Sequence, residues 1–243
     1  ATLVHDDIID DAPMRRGYNT LQNQFGKKSA VICGDYLFCK ALKLSASVFE
    51  QQIDDKHLSL PDYMSKICLG ELKQHLHNKD FDLSVKQYFK IISGKTAALF
   101  EASFYAGAVL CKEHLTHGLS YRRIGRYVGM IFQLNDDCID YEASKQAAKK
   151  PVQSDYEQGV ITLPLIFTLQ RFDKLKEQCI KGQLTKEDLC RAVCNSGGIS
   201  ITRDLANKYY KKAKKILDGL NIIAEKKASL ELILDQACTR KQL

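Results

Sequence analysis

The chain of 243 residues is 45% hydrophobic and 27% charged, with 14 Gly, 4 Pro and no Trp. That is enough chain to bury one sizeable core, and too apolar a chain to stay disordered. No run of about 18 uncharged apolar residues occurs, so no membrane-spanning helix is expected, and the net charge of +7 lies wholly in residues 171–243, which hold 16 Lys and Arg against 9 Asp and Glu.

In chain order, the first landmark is His5-Asp6-Asp7-Ile8-Ile9-Asp10-Asp11, followed by Pro13 and by Arg15-Arg16-Gly17. Apolar positions then recur at three-to-four spacing, predicting helices over 29–52, 61–78, 84–111, 119–143, 163–179, 184–196, 199–219 and 222–239. The prolines suit element boundaries: Pro61 opens a helix, Pro151 falls in a loop, and Pro164 sits in a first turn, where its missing N–H costs nothing. Alternating strands joined by Asn-Gly or Asp-Gly are absent from the sequence. The expected fold is all-α, a single-domain helical bundle over residues 1–243.

The basic residues near the end (Lys208, Lys211, Lys212, Lys214, Lys215) recur at helical spacing with only Tyr209 and Tyr210 among them. They read as a solvated helix face, not a nucleic-acid surface. The nine cysteines form no CxxC and have no histidine at zinc-finger spacing. Most lie in apolar stretches, such as Val31-Ile32-Cys33, so they are expected to be free thiols acting as small hydrophobes. That usage, and the lack of a basic-then-apolar leader, predicts a reducing cytoplasmic setting.

One internal echo carries the chemistry. Asp-Asp-x-x-Asp occurs at residues 6–10 and again in Asn135-Asp136-Asp137-Cys138-Ile139-Asp140. On a helix, Asp6 with Asp10, Asp7 with Asp11, and Asp136 with Asp140 would stack like charges one turn apart, which costs stability. A sequence that does so twice among apolar neighbours calls for a cation. Carboxylates with open coordination suit Mg²⁺, which keeps waters and takes substrate phosphates beside one or two carboxylates. An EF-hand is excluded, because the glycine and glutamate it needs are missing. Arg15 and Arg16 follow the first motif and can grip phosphate oxygens. Lys95, beside Thr96 in an apolar stripe, wants an anionic partner. Gln133 lies one turn ahead of Asp136, and Lys149-Lys150 forms a short basic loop after the second motif. Acidic residues for metal and basic residues for phosphate together imply a metal–diphosphate substrate.

These residues resemble the trans-isoprenyl diphosphate synthases, the polyprenyl synthetases. Leu3 to Asp11 with Arg15-Arg16-Gly17 looks like the family's first aspartate motif, and Gln133 to Tyr141 like its second. Gly34-Asp35-Tyr36-Leu37, Gly70-Glu71-Leu72 with Gln74, Lys95-Thr96, Asp155, Gly159 and Thr162-Leu163-Pro164 fall in the family's order, so the likeness runs from residue 1 to about residue 170. The resemblance implies an isoprenoid-synthase bundle around a central cavity and head-to-tail condensation of isopentenyl diphosphate with an allylic prenyl diphosphate. It implies that Asp6, Asp10 and Asp136, with Asp7, Asp11, Asp137 and Asp140 beside them, hold three Mg²⁺. It also implies that Arg15, Lys95, Thr96, Gln133 and Lys150 contact the allylic substrate and that Arg16 helps bind isopentenyl diphosphate.

Two departures follow from the same likeness. Lys149-Lys150-Pro151 stands where the family has Gly-Lys-Pro, and the family's Gly-Gly-Lys-x-x-Arg-Pro segment belongs ahead of residue 1, so the N-terminal part of the domain is expected to be missing. The positions four and five residues before the first aspartate are Thr2 and Ala1, both small. By the resemblance, that leaves the elongation tunnel open and implies a product of C20 or longer. A homodimer is expected, with the catalytic subunit of a heteromeric synthase as an alternative and a short-chain farnesyl synthase as a lesser one. Terpene cyclisation is disfavoured by the second Asp-Asp-x-x-Asp, and a non-catalytic subunit by the intact motifs.

Overall fold

The computed structural model describes residues 1–52, 60–111, 114–142, 156 and 158–239. The chain packs as two compact units, Ala1–Leu60 and Pro61–Leu243. The all-α expectation holds: helices account for nearly all the regular structure among the described residues.

In the first unit, α1 (Thr2–Ile9) and α2 (Leu21–Phe25) pack on the long α3 (Lys27–Gln52). Between α1 and α2 lies a small antiparallel hairpin, β1 (Met14–Arg15) and β2 (Tyr18–Asn19). Its two turn residues, Arg16 (φ 51°) and Gly17 (φ 83°), are both left-handed, the geometry that two-residue hairpin turns require. The sequence signal was Arg-Gly in place of the expected Asn-Gly, so the hairpin was not anticipated.

The second unit opens with α4 (Leu60–Leu76). Next come α5 (Val85–Ile92), one π-helical turn (Ser93–Ala97) and α6 (Ala98–Leu110). The central element is α7 (His114–Glu142), and α8 (Leu163–Arg171), α9 (Asp173–Ile180), α10 (Lys186–Ser196), α11 (Gly198–Asp218) and α12 (Ala224–Thr239) follow it. Local chemistry sets the ends. Ser84 and Gln87 form a reciprocal capping box on α5, and Thr185 caps α10. Pro164 falls in the first turn of α8, as expected.

Two predicted helices are divided. Residues 163–179 break at Phe172, whose backbone is extended (φ −133°, ψ 84°), and Asp173 starts a new first turn there. Residues 84–111 stay helical, but the ladder widens into the π-turn where the backbone of α4 comes against it.

Two apolar clusters seat α7. One side packs Met130, Leu134 and Tyr141 with Tyr88 and Ile91 of α5 and Leu163, Leu165 and Ile166 of α8. The other packs Tyr121, Ile124, Val128 and Ile131 with Ala213 and Leu217 of α11 and Leu234 of α12. Lys208, Lys211, Lys212 and Lys215 form the solvated face expected of α11. All nine cysteines are free; Cys138, Cys179 and Cys190 are buried, whereas Cys39, Cys68 and Cys111 are exposed. Among the described residues no helix is long and apolar enough to cross a membrane.

The last helix, α12, is tied to α7 by a buried polar contact. Asn135, 4% exposed, donates from Nδ2 to the carbonyls of Ala237 (3.0 Å) and Cys238 (3.2 Å), closing the last turn of α12. Asn135→Ala should therefore lower the unfolding free energy by about 1–3 kcal/mol, the cost of stranding buried hydrogen-bonding groups. A urea midpoint equal to the wild type's would show that α12 does not depend on this contact.

Candidate active site

The two aspartate motifs lie in different units, and each is built by its own surroundings. The first occupies α1 and its C-terminal end. Asp10 caps the helix and its N–H reaches the Asp6 carbonyl at 2.8 Å, so Asp6 and Asp10 keep the one-turn spacing read from the sequence. Asp11 does not. The helix has ended at Ile9 and Asp11 is left-handed (φ 50°), so the expected helical stack of Asp7 on Asp11 fails, and Asp11 pairs with Lys27 at 2.8 Å.

Asp7 turns inward. Only 8% exposed, it takes the Nε–H of Arg15 on Oδ1 at 2.5 Å. Its main chain is held too: Gln22 donates from Nε2 to the Asp7 carbonyl (2.7 Å) and to the Ala12 carbonyl (2.9 Å). Thr20 donates to Ala12 O (2.8 Å) and caps α2. Asp6 is half-buried and Asp10 exposed. Arg15 keeps its Nη1 and Nη2 donors for other acceptors, since a guanidinium carries five N–H groups. Arg16 is exposed on the hairpin turn. His5 meets Asp35 of α3 at 3.1 Å. The motifs alone did not point to Gln22 or Thr20; the only signal available was their closeness to the aspartates.

The second motif lies on α7 and divides in the same way. Asp136 is exposed, Asp140 half-buried, and Asp137 only 2% exposed. Asp137 receives the Tyr88 hydroxyl on Oδ2 (2.5 Å) and Gln133 Nε2 on Oδ1 (2.7 Å), and the backbone N–H of Leu163 at the start of α8 bonds it as well. Burial nevertheless pushes its pKa up to about 7, against the lowering by Tyr88 and Gln133 and with a smaller raising by Asp136.

Gln133 is in turn held from the other side. Thr96 donates its hydroxyl to Gln133 Oε1 at 2.6 Å. Gln133 therefore meets Asp137 more directly than the Asp136 beside which the sequence placed it. Lys95, next along the π-turn, finds its anionic partner in Glu71 of α4 at 3.1 Å. Thus Lys95, Thr96, Gln133 and Asp137, scattered in sequence, form one connected group, with Tyr88 and Glu71 as members that the sequence did not single out as a set. Lys150, with Lys149, Pro151 and Asp155, lies outside the described residues. Gly159 (φ 81°) accepts the Lys79 N–H at 2.7 Å.

The π-turn is gripped by backbone on two sides. A Cβ on Gly70 of α4 would lie 2.2 Å from the Lys95 nitrogen, and one on Gly129 of α7 would lie 2.6 Å from the Ala97 Cα. Only glycine permits either approach. Below this, Arg122 of α7 donates to Glu101 of α6 at 2.6 Å, and the Tyr63 hydroxyl of α4 reaches the same carboxylate. Among the described residues no three His, Cys, Asp or Glu side chains come together as a closed metal cluster. The donors offered by the motifs are all carboxylate oxygens, the hard ligands that suit a divalent cation taking few protein ligands beside phosphate oxygens.

Comparison with known proteins agrees with this geometry. The polyprenyl synthetase family model matches residues 1–196. Heptaprenyl diphosphate synthase component 2 of Geobacillus stearothermophilus is 33% identical over 228 residues, covering 90% of this chain and 69% of its own. Octaprenyl diphosphate synthase of Haemophilus influenzae is 31% identical over 238 residues, covering 96% and 71%. In structure, the chain resembles a geranylgeranyl pyrophosphate synthase from Lactobacillus brevis (TM-score 0.86, 32% identity, 98% of this chain and 75% of that one). It also resembles a polyprenyl synthase from Caulobacter crescentus complexed with calcium and isoprenyl diphosphate (TM-score 0.85, 32% identity, 98% and 74%). The fold and the paired motifs define a trans-prenyltransferase. The chain belongs to the polyprenyl synthetase family, and the likeness extends well past residue 170.

The closeness of Gly70 to the π-turn makes a direct prediction. Gly70→Ala should destabilise the protein by about 1–3 kcal/mol, the usual cost of overpacking, and should lower turnover by displacing Lys95. A variant with wild-type melting temperature and activity would show that the backbone of α4 does not hold the turn.

Proposed function

We propose that residues 1–243 belong to one catalytic domain that condenses isopentenyl diphosphate head-to-tail with an allylic prenyl diphosphate, in the presence of Mg²⁺, to a product of C20 or longer. The observation that carries this reading is the division within each motif: one aspartate faces inward onto protein donors while Asp10 or Asp136 is exposed. Asp6 and Asp10 on α1, and Asp136 and Asp140 on α7, are the carboxylates assigned to magnesium, with three ions expected from the family resemblance. Asp7 and Asp137 hold their helices in place. When bound, magnesium would neutralise the negative charge that builds on a departing diphosphate.

The chain's own residues supply the rest. Arg15 and Lys95 are assigned to the phosphate oxygens of the allylic substrate, Arg15 through its remaining N–H donors and Lys95 by exchanging Glu71 for substrate. Thr96 and Gln133 are assigned to the same substrate, and Lys150 to its diphosphate. Arg16 is assigned to isopentenyl diphosphate. Preorganised cations at the leaving group favour ionisation to an allylic cation, which the isopentenyl double bond attacks. The proton lost afterwards goes to the departed diphosphate, so no side-chain base is required.

A second reading is favoured by one observation: a matched relative is named as component 2 of a heptaprenyl synthase. The chain would then be the catalytic subunit of a heteromer; otherwise a homodimer is proposed. The cytoplasm is the proposed location.

The defining test incubates the full chain with Mg²⁺, isopentenyl diphosphate and allylic primers of several lengths, alone and with candidate partner subunits, and sizes the products. Asp10→Ala should reduce turnover about a hundredfold or more, the scale of losing a charge-stabilising group. Its melting temperature should stay at or above the wild type's, because one of several crowded carboxylates is removed. Turnover near the wild-type level would contradict the assignment of Asp10. Ala1→Phe should shorten the product; an unchanged product distribution would show that position 1 does not limit chain growth.

A further inference from the structure

We infer that Tyr88 is a positioning residue for the second aspartate motif: its hydroxyl, acting through Asp137, sets the orientation in which α7 presents Asp136 and Asp140. This rests on the reading of those two carboxylates as metal-holding groups.

Tyr88 lies in the second turn of α5, 3% exposed, with its hydroxyl 2.5 Å from Asp137 Oδ2. Gln133 occupies the other oxygen at 2.7 Å, and the first N–H of α8 adds a third donor. The amide of Gln133 has a single sensible orientation, since its Oε1 accepts from Thr96 at 2.6 Å while its Nε2 donates to Asp137. Two elements, α5 and α8, therefore meet one carboxylate of α7 directly, and the π-turn reaches it through Gln133.

Successive residues of a helix point about 100° apart. Fixing where Asp137 points consequently fixes where Asp136 and Asp140 point. Of the groups that meet Asp137, Gln133 belongs to α7 itself and cannot set its rotation alone. Tyr88 is the side chain from another element that bonds Asp137 directly. The apolar packing of α7 keeps the helix in place without it; what the hydroxyl adds is angular definition of the exposed carboxylates. Partners that orient metal ligands in this way typically change metal affinity about 10–100-fold when removed.

The test uses the full-length protein with Mn²⁺ alone as probe, so that the substrate contact assigned to Thr96 does not enter the readout. Metal binding is followed by electron paramagnetic resonance and stability by thermal melting. Tyr88→Phe keeps the ring and deletes the hydroxyl; Thr96→Val deletes the donor on the far side of Gln133 at nearly constant shape. Each is expected to weaken Mn²⁺ binding about tenfold. The double variant should lose much less than the product of the two, because both act through Asp137.

Asp136→Asn serves as the control for the reading underneath. If it loses Mn²⁺ while Tyr88→Phe binds as the wild type does, with or without a lowered melting temperature, Tyr88 is only a packing residue and the inference is overturned. Full multiplication of the two single losses in the double variant overturns it equally. If Asp136→Asn itself binds as tightly as the wild type, the carboxylate assignment fails and takes this inference with it.

Discussion

A carboxylate withdrawn from water must be met by donors, because burial of an unpaired charge costs several kcal/mol at least. Both aspartate motifs of this protein are organised around that requirement. Asp7 is met by Arg15, and Asp137 by Tyr88, Gln133 and the Leu163 N–H. Even with three donors, desolvation of Asp137 prevails and its pKa rises to about 7. Each inward aspartate acts as a pin for its helix, and each pin is followed by carboxylates that the helix must turn elsewhere. Crowding like charges on one element is tolerable only with such a division.

The second unit elaborates the pin into a small machine of backbone contacts. Gly70 and Gly129 bring α4 and α7 against the π-turn that carries Lys95 and Thr96. π-Helical turns are uncommon and concentrate at functional sites, where an extra residue re-aims neighbouring side chains. Here the turn sends Lys95 to Glu71 and Thr96 to Gln133. Arg122, Glu101 and Tyr63 join α7, α6 and α4, with burial the main reason that the Tyr63 hydroxyl holds its proton more tightly than usual. Substrate charge, under the proposed function, would compete with Glu71 for Lys95, which makes that ion pair the resting state of a binding group.

Much of this was legible in the sequence. The helical period located nearly every helix, because amphipathic faces on a large core leave a strong signal, and the paired Asp-Asp-x-x-Asp pointed to metal and diphosphate. Within a motif, however, sequence cannot tell Asp136 from Asp137. Their surroundings diverge by one step of helical rotation and by the neighbours that tertiary packing supplies. Tyr88, 49 residues from Asp137, carried no local mark of its contact. Asp11 looked equivalent to Asp10 until the helix ended two residues earlier. The hairpin at Arg16-Gly17 was hidden because its left-handed turn uses arginine where asparagine is usual. The helices after residue 170 carry no chemical motif, only packing periodicity, so the family likeness there emerged from whole-chain comparison.

Under the proposed function the inward and outward aspartates have different jobs, and that division is the claim on which the proposed chemistry stands. A crystal structure of the full chain with Mn²⁺ and inorganic pyrophosphate, with manganese located by anomalous scattering, tests it most directly. Manganese is expected against Asp136, with the Asp137 oxygens still on Tyr88 and Gln133. Manganese bound to Asp137, with Tyr88 displaced, would contradict it.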